Sequence, residues 1–467
     1  MSYASYDRLT ALDSTFLDIE SPSVHMHVGS VGIFDPGPLA KHDGGIDFDQ
    51  VLNVVESGLR RAPRFRQHLV RTPLTQHPVW VDDEHFNVLY HVRFTALPIP
   101  GDERRLKRLV GRIMSEKLDL ERPLWEMWIV EGLEGGRFAV ISKVHHCLID
   151  GISGIDLLSA FMGKDVDHRP EPTDHRWLPR PGPSPVQLLR DEVTRRLSIP
   201  GRIASMAGDA LRKPDRAVED TSRRMTGLVR TLRKSFSVAS ETPFNVAIGP
   251  HRRFDWTRFD LEAVREVKAR LGGTVNDIVL AVVAGAVRHY FDQHAFETKD
   301  LDFRAFLPVS TRTESQRGRL GNRVSLIVAS LPVDEPDARR RVRRIVEETQ
   351  ELKSSGEAEG AELIEQLSDW TAPALLSAMN KLAASRRTYN LVVTNVPGLP
   401  FSVYLNGAHL RESYPLVPLF DNQALGIALT SYDGSLYWGF NADWDAIPDL
   451  HDFVAAIEQE FELLRKL

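Results

Sequence analysis

The chain has 467 residues, of which 42% are hydrophobic and 26% are charged, and its formal net charge is −6. This composition is that of an ordinary globular protein and excludes wholesale disorder, a collagen-like repeat and a disulfide scaffold. The negative balance also argues against a nucleic-acid-binding protein, which usually carries a basic domain or stripe.

The single cysteine, Cys147, excludes an intrachain disulfide and favours a reducing, cytosolic setting. The first ten residues are polar, so no signal peptide is expected. The longest apolar run, residues 278–287, is about half of the roughly 20 residues that a membrane-spanning helix needs. The chain is therefore expected not to cross a bilayer, although it could lie on one.

Hydrophobic periodicity predicts a mixture of strands and helices through residues 1–165. The predicted elements are a strand at 24–34, helices at 49–62 and 104–118, and a hairpin of 127–132 with 137–146 around the turn at 134–136.

The composition then changes. Six prolines lie between positions 170 and 185, which indicates a boundary or linker. The next segment, residues 186–236, holds 12 Lys and Arg against 6 Asp and Glu, a local net charge of 12 − 6 = +6. Its scattered apolar residues favour one or two basic amphipathic helices between two domains.

The second half is again mixed, and no internal repeat is found. The predicted elements are a deeply buried helix at 274–290, strands at 324–331 and 391–396, a strand pair of 425–430 with 435–441, and a closing helix at 449–467. The sequence thus predicts an α/β protein of two lobes: an N-terminal lobe at 1–180, a Pro-rich and then basic amphipathic linker at 181–240, and a C-terminal lobe at 241–467.

One constellation stands out as a candidate site, the sequence HHCLIDG at residues 145–151. It follows an apolar strand, along which side chains alternate between faces, so His145 and His146 are expected to point opposite ways. One ring can then reach a cavity while the other is held in structure. Asp150 can turn back to fix the local geometry, and Gly151 permits a tight approach or an unusual backbone angle.

This arrangement suits general-base chemistry. Histidine is mostly neutral at pH 7, and a positioned base could deprotonate a hydroxyl during acyl transfer. A zinc site is the rival interpretation, but it needs three protein ligands at suitable spacing, and the chain has neither HExxH nor a second cysteine. Two purely structural histidines are the other alternative; the spacing HH, three residues, DG at a strand end is much more specific.

These residues match the HHxxxDG motif of the CoA-dependent acyltransferase superfamily. Within it, the chain resembles the bacterial wax ester synthase/diacylglycerol acyltransferase family along essentially its whole length, with the motifs in the same order. The segments that carry the resemblance are LDSTFL at 12–17, MHVG at 26–29, the PLW motif Pro123-Leu124-Trp125, the ND motif Asn276-Asp277, GN at 321–322 and NVPG at 395–398.

The resemblance implies a two-lobe fold like that of chloramphenicol acetyltransferase, each lobe a mixed sheet with helices, with a channel at the lobe interface. Acyl-CoA would enter from one side as a substrate, with no cofactor, and the acceptor alcohol from the other. His146 would be the general base, His145 its neighbour, and Asp150 a structural residue paired with an arginine. The acyl group would pass directly to the alcohol without an acyl-enzyme.

The other motif residues have alternative roles. Pro123, Leu124 and Trp125 line the channel mouth or simply pack. Asn276 donates a hydrogen bond to the developing oxyanion or satisfies the backbone at the helix start.

Two further residues within these motifs, Asp277 and Cys147, carry groups that could take part in catalysis. Asp277 is interpreted as a helix cap rather than an acid. Cys147 is interpreted as a packing residue, not a nucleophile. Residues 151–154 are similar to a nucleophile elbow, but the required final glycine is Ile155, so a serine hydrolase triad is rejected.

The substrates leave weaker signals. There is no Gly-rich phosphate loop, so Arg252 and Arg253 are candidates for the CoA phosphates, or are merely solvated. The basic segment 186–236 is expected to rest on anionic lipid or a lipid droplet, the alternative being a solvated connector.

The predicted activity is transfer of an acyl group from acyl-CoA to diacylglycerol or to a long-chain alcohol. The rivals are a carrier-protein-dependent condensation or esterification enzyme and a catalytically weak lipid-binding paralogue.

Overall fold

The computed structural model describes residues 6–42, 44–148, 161–167, 177–197, 238–310, 324–354 and 387–467. Besides the helical residues 185–197, the helices there are α1 Ala11–Asp18, α2 Phe48–Gly58, α3 Val88–His91, α4 Glu103–Ser115, α5 Leu261–Leu271, α6 Val275–Gln293, α7 Ala338–Ser354 and α8 Leu450–Lys466. The strands there are β1 Tyr6–Arg8, β2 His27–Asp35, β3 Gln67–Arg71, β4 Pro78–Asp82, β5 Val92–Ala96, β6 Trp125–Glu131, β7 Phe138–His145, β8 Arg252–Asp260, β9 Arg304–Ser310, β10 Val324–Ser330, β11 Leu391–Val396, β12 Tyr404–Leu405, β13 Ala408–Leu416, β14 Leu425–Tyr432 and β15 Ser435–Asp443.

The N-terminal sheet has six strands in the order β12-β13-β2-β7-β6-β5. The predicted hairpin is confirmed: β6 and β7 pair antiparallel, and the turn between them passes through Gly135 and Gly136, both at positive φ. Every residue of β7 is buried, because the strand lies in the interior of the sheet between β2 and β6. The strand that leads to the histidine motif therefore lies in the interior of this lobe.

The C-terminal sheet also has six strands, in the order β10-β9-β11-β14-β15-β8. Helix α6 packs against α7 and α8 over this sheet and is buried along most of its length, as its nearly continuous apolar sequence predicts. Among the described helices, none is by itself long and apolar enough to span a membrane; only α5 and α6 taken together meet that criterion, and they are bent by 91°.

The two lobes are interwoven by strands from the second half of the chain. Strand β13 pairs antiparallel with β2, and β12 lies outside it, so residues 404–416 form an edge of the N-terminal sheet. The sequence analysis predicted no strand here. A register shift between Leu410 and Glu412, with Pro415 further on, interrupts the alternating pattern that marks a strand.

The described part of the predicted linker begins as an ordered helix. Residues 185–197 are helical and lie on the three-stranded sheet β1-β4-β3, where Leu188 joins Tyr6, Val79 and Val81 in a small apolar cluster. Glu192 is buried there and forms an ion pair with Arg8 at 2.8 Å. Most of the basic segment beyond residue 197 lies outside the described residues.

Candidate active site

The HH pair lies where β7 ends. The strand stops at His145, and residues His146–Leu148 form a single 3-10 turn. The backbone N–H of His145 donates to Leu124 O at 3.0 Å, and that of His146 donates to Met26 O at 2.7 Å. The two rings occupy different environments, as predicted, but strand alternation is not the cause, because the strand has ended before His146. Asp150 and Gly151 lie outside the described residues.

His146 has the environment of a neutral base. Its ring is half-buried and lies against Phe16, with 3.9 Å between ring centroids. Its Nδ1 is enclosed and has no hydrogen-bond partner among the described residues. Burial, with His145 adding a second contribution, lowers the pKa of His146 to about 4. The imidazole is therefore unprotonated at neutral pH and able to accept a proton.

His145 is completely buried, and its ring is hydrogen-bonded at Nδ1. Its Nδ1 accepts the backbone N–H of Cys147 at 3.2 Å and lies 2.9 Å from the Cys147 Sγ. Because Nδ1 is an acceptor, the ring proton of the neutral imidazole belongs on Nε2. That Nε2 lies 3.4 Å from Oε1 of Glu20, a buried carboxylate between α1 and β2.

Sequence reasoning missed Glu20. A single glutamate in a polar loop, before Ser21 and Pro22, carries no pattern that would separate it from a solvated charge. Burial raises the pKa of Glu20, but His145, the backbone N–H of Met26 and Lys117 outweigh burial and hold the pKa below its ordinary value. The carboxylate is therefore ionised beside the histidine pair.

Cys147 behaves as the packing residue that the sequence predicts. Its side chain is buried, and burial raises the pKa of its thiol well above the ordinary value, so the nucleophilic thiolate is suppressed. We expect Cys147→Ala to keep turnover within about threefold of wild type, because the thiol is only a weak donor and the backbone N–H to His145 remains. Steady-state turnover measures this, and complete loss of activity would contradict it.

The PLW segment supports the histidine strand through its backbone and a buried ring. Leu124 supplies the carbonyl that holds His145, and both Pro123 and Leu124 are buried. The indole Nε1 of Trp125 donates to Phe65 O at 2.7 Å. The Trp125 ring also stacks on His91, with 4.7 Å between centroids. These contacts favour the packing alternative for Trp125.

The ND motif opens helix α6. Thr274 and Asp277 form a reciprocal capping box, in which the Thr274 N–H donates to Asp277 Oδ2 at 2.7 Å. The other carboxylate oxygen accepts from the Thr349 hydroxyl at 2.8 Å. Asp277 is thus fully occupied as a cap, as predicted. Asn276 is half-buried in the first turn, and within the described part of the chain no hydrogen bond joins either residue to the histidine pair.

Replacing the cap gives a stability prediction. We expect Asp277→Ala to lower the free energy of unfolding by about 1–3 kcal/mol, because it removes the cap and leaves the Thr349 hydroxyl with only its longer bond, to Val346 O at 3.2 Å. Urea unfolding followed by circular dichroism measures the change. The neighbouring Asn276→Ala is the matched control, and an equal loss in both variants would contradict the assignment of the cap to Asp277.

The site stands at the junction of the lobes. Met26, whose carbonyl holds His146, packs with Val24 into the core of the C-terminal lobe, and Phe16 lies against the same core. Arg252 crosses the junction: its guanidinium donates to Ser23 O on one side and to Gly249 O, at 2.6 Å, on the other. These bonds occupy Arg252, so it is not a free cation for the CoA phosphates.

Arg253 is also engaged. Its Nε donates to Trp444 O at 2.9 Å, and its guanidinium lies 3.7 Å from the centroid of the Trp444 ring. Within the described ranges, no three His, Cys, Asp or Glu side chains come together in an arrangement that could hold a metal ion.

Comparison with models of known protein families identifies the family of this chain. Residues 9–279 match the wax ester synthase/diacylglycerol acyltransferase catalytic domain, and residues 320–465 match the WS/DGAT C-terminal domain. The chain belongs to the wax ester synthase/diacylglycerol acyltransferase family. It is therefore an acyltransferase, and the resemblance seen in the sequence is confirmed.

Curated relatives support the same assignment. A putative diacylglycerol O-acyltransferase of Mycobacterium tuberculosis is 32% identical over 456 residues, which cover 96% of this chain and 88% of the relative. The probable diacylglycerol O-acyltransferase tgs2 of the same species is 31% identical over 468 residues, covering 98% of this chain and 99% of the relative.

Solved structures confirm the two-lobe fold. The wax ester synthase/diacylglycerol acyltransferase from Marinobacter aquaeolei matches with a TM-score of 0.69 and 28% identity, covering 98% of this chain and 100% of that chain. A starter condensation domain of rhizomide synthetase, solved with C8-CoA and Leu-SNAC, has a TM-score of 0.59 at 13% identity, covering 99% and 94% of the two chains, and shows a likeness of fold alone.

Proposed function

We propose that this acyltransferase moves a long acyl chain from acyl-CoA to the hydroxyl of diacylglycerol or of a long-chain alcohol. The observation that carries the proposal is His146: a neutral imidazole, half-buried at the junction of two lobes, whose Nδ1 has no hydrogen-bond partner among the described residues. The names of the relatives support diacylglycerol as an acceptor, and the Marinobacter protein's name adds wax ester. Acyl-CoA enters as a substrate, and no proposed step needs a cofactor.

The proposed reaction is direct transfer. His146 accepts the proton of the acceptor hydroxyl as its oxygen attacks the thioester carbonyl, and the tetrahedral intermediate then expels the CoA thiolate. The imidazolium returns its proton to that thiolate, which is a good leaving group because its conjugate thiol has a pKa of about 8.5. Cys147, buried and with a raised pKa, does not compete as a nucleophile, which supports a route without an acyl-enzyme.

The pH dependence follows from the His146 pKa. The base works in its neutral form, and burial lowers its pKa to about 4. Activity should therefore stay level from neutral pH down to the region of that pKa, and kcat/KM should fall as pH drops through it. Brief pH jumps from a neutral stock, followed by assay, separate this titration from acid unfolding. An acidic limb centred near pH ~6.5, the ordinary histidine value, would contradict the assignment.

Product analysis tests the activity itself. Purified protein is given radiolabelled palmitoyl-CoA with dioleoylglycerol, with hexadecanol or with neither. We expect ester with at least one acceptor, and the preferred acceptor identifies the reaction. Free CoA release without ester would indicate hydrolysis. No ester with any acceptor, while lipid binding persists, would favour a lipid-binding protein or a carrier-dependent enzyme.

We propose further that the helix at 185–197 rests on an anionic lipid surface. One face is docked on β1 and β4 through Leu188 and Glu192. The opposite face is apolar and exposed at helical spacing, with Val186, Leu189, Val193 and Leu197. The segment that it opens, residues 186–236, carries the +6 balance counted above (12 Lys and Arg against 6 Asp and Glu), which complements anionic headgroups.

Vesicle binding tests this surface. The paired change Val193→Asp with Leu197→Asp should weaken co-sedimentation with vesicles of phosphatidylcholine and phosphatidylglycerol, because charged side chains replace the apolar contact. Leu463→Asp, at an exposed leucine of α8, is the matched control. If the double variant sediments with the vesicles as well as the Leu463→Asp control does, the helix is not the contact surface.

A further inference from the structure

We propose that Glu20 is a positioning residue for the histidine pair, acting on both His145 and His146 through one carboxylate oxygen. The inference rests on the proposed function, since it assigns Glu20 to the base that performs the transfer. Glu20 lies in the loop between α1 and β2, far in sequence from β7, and its side chain is only 6% exposed.

The first link is to the His145 ring. Glu20 Oε1 lies 3.4 Å from His145 Nε2, the nitrogen that carries the ring proton because Nδ1 accepts from Cys147 N–H. His27 Nε2 is also near, at 3.9 Å, but it accepts the N–H of Leu118 and so has no proton for Glu20. Of the two rings, His145 is therefore the one whose N–H faces the Glu20 carboxylate, and this close electrostatic contact favours the observed orientation of the ring.

The second link reaches the base itself. The same Oε1 accepts the backbone N–H of Met26 at 3.0 Å. Met26 O in turn accepts the backbone N–H of His146 at 2.7 Å. Oε1 of Glu20 thus positions the Met26 backbone, which holds the backbone of His146, and also contacts the ring of His145. The placement of the base therefore depends on this one acceptor atom.

The other oxygen has a separate task. Glu20 Oε2 lies 3.5 Å from Lys117 Nζ, whose side chain is 39% exposed. This cation helps to keep the carboxylate ionised. Because Oε1 makes the positioning contacts and Oε2 faces a lysine that can turn to solvent, a glutamine should replace Glu20 well. Its carbonyl oxygen accepts the Met26 N–H and keeps the contact with the His145 ring, and its amide nitrogen faces Lys117.

A series of variants separates position from charge. Glu20→Gln keeps the acceptor in place and removes the charge, whereas Glu20→Asp keeps the charge and withdraws the acceptor by one methylene. Glu20→Leu removes both. We expect kcat to fall in the order wild type, Gln, Asp, Leu, with Gln within about 10-fold of wild type and Leu lower by about 100-fold or more, because small misplacements of a catalytic group have effects of that size.

The Michaelis constant for palmitoyl-CoA provides the second readout. It should stay within about threefold of wild type, since Glu20 orients the base and leaves substrate binding unchanged. Glu121→Leu, at an exposed glutamate beside the PLW motif, is the control for loss of a carboxylate. Thermal melts confirm that each variant is folded, and the Gln and Asp comparison remains decisive if Leu does not fold.

The outcomes are distinct. Aspartate equal to or better than glutamine would overturn the inference, because charge rather than placement would then matter. Wild-type kcat in Glu20→Leu would overturn it as well. If wild-type protein forms no ester, the proposed function fails first; if it does and His146→Ala does not, while Glu20→Leu stays fully active, only the role of Glu20 fails.

Discussion

Replacing His146 by alanine should lower turnover by about 10²- to 10⁴-fold, the contribution of a positioned general base. That range corresponds to roughly 3–5.5 kcal/mol of barrier. His146 combines properties that suit this chemistry: a neutral ring at the junction of the lobes and a backbone N–H held by the carbonyl of Met26, just before β2. The Michaelis constant for acyl-CoA should change little, because the lost interaction forms only as the hydroxyl gives up its proton.

The assay compares initial rates of ester formation from labelled palmitoyl-CoA with the preferred acceptor. The control is His451→Ala, since the His451 ring lies on the surface in the first turn of α8 and pairs with Asp255. We expect wild-type turnover in that control. Turnover of His146→Ala within about threefold of wild type would show that another group, or the acceptor itself, manages the proton, and would remove His146 from the mechanism.

Replacing Arg252 by methionine should lower the free energy of unfolding by about 3–5 kcal/mol, the usual cost of breaking a buried charged network. Its guanidinium is buried and donates to three backbone carbonyls, those of Ser23, Gly249 and His251. Burial lowers the pKa of Arg252 to about 10, so it stays charged at neutral pH. Methionine fills part of the space but leaves those carbonyls without donors.

The adjacent arginine is the matched control. Arg253 is partly exposed and makes one backbone hydrogen bond together with its contact on the Trp444 ring. We expect Arg253→Met to cost about 1 kcal/mol or less. Urea and thermal unfolding by circular dichroism compare the two. Equal losses would mean that Arg252 does not hold the lobes together, and would reopen its candidacy for a substrate phosphate.

Local patterns predicted most of the elements around the site. The hairpin that delivers the histidines and the buried helix α6 with its capping box lie where the sequence places them. Both depend on signals within a few residues: apolar periodicity, a Gly-rich turn, a threonine three residues before an aspartate. The motif at 145–151 is local in the same sense, which is why His146 could be identified as the candidate base.

Contacts between distant segments could not be read in this way. The sequence does not show that β13 completes the N-terminal sheet beside β2, because strand pairing depends on the path of the whole chain. Nor does it distinguish Arg252, which crosses the junction, from Arg253, which lies beside it. The two arginines are neighbours in the sequence, directly after His251, so no local pattern separates them. Their roles differ because Arg252 is buried and Arg253 is partly exposed.

The sequence by itself predicted the two-lobe architecture from its periodicities, and its short motifs carried the family resemblance, which in turn implies His146 as the base. The tertiary structure alone decided how the base is held. Glu20 reaches His145 and Met26 only because α1, β2 and β7 converge at one point. A carboxylate acquires such a role through burial and distance, and neither property is written in the residues next to it.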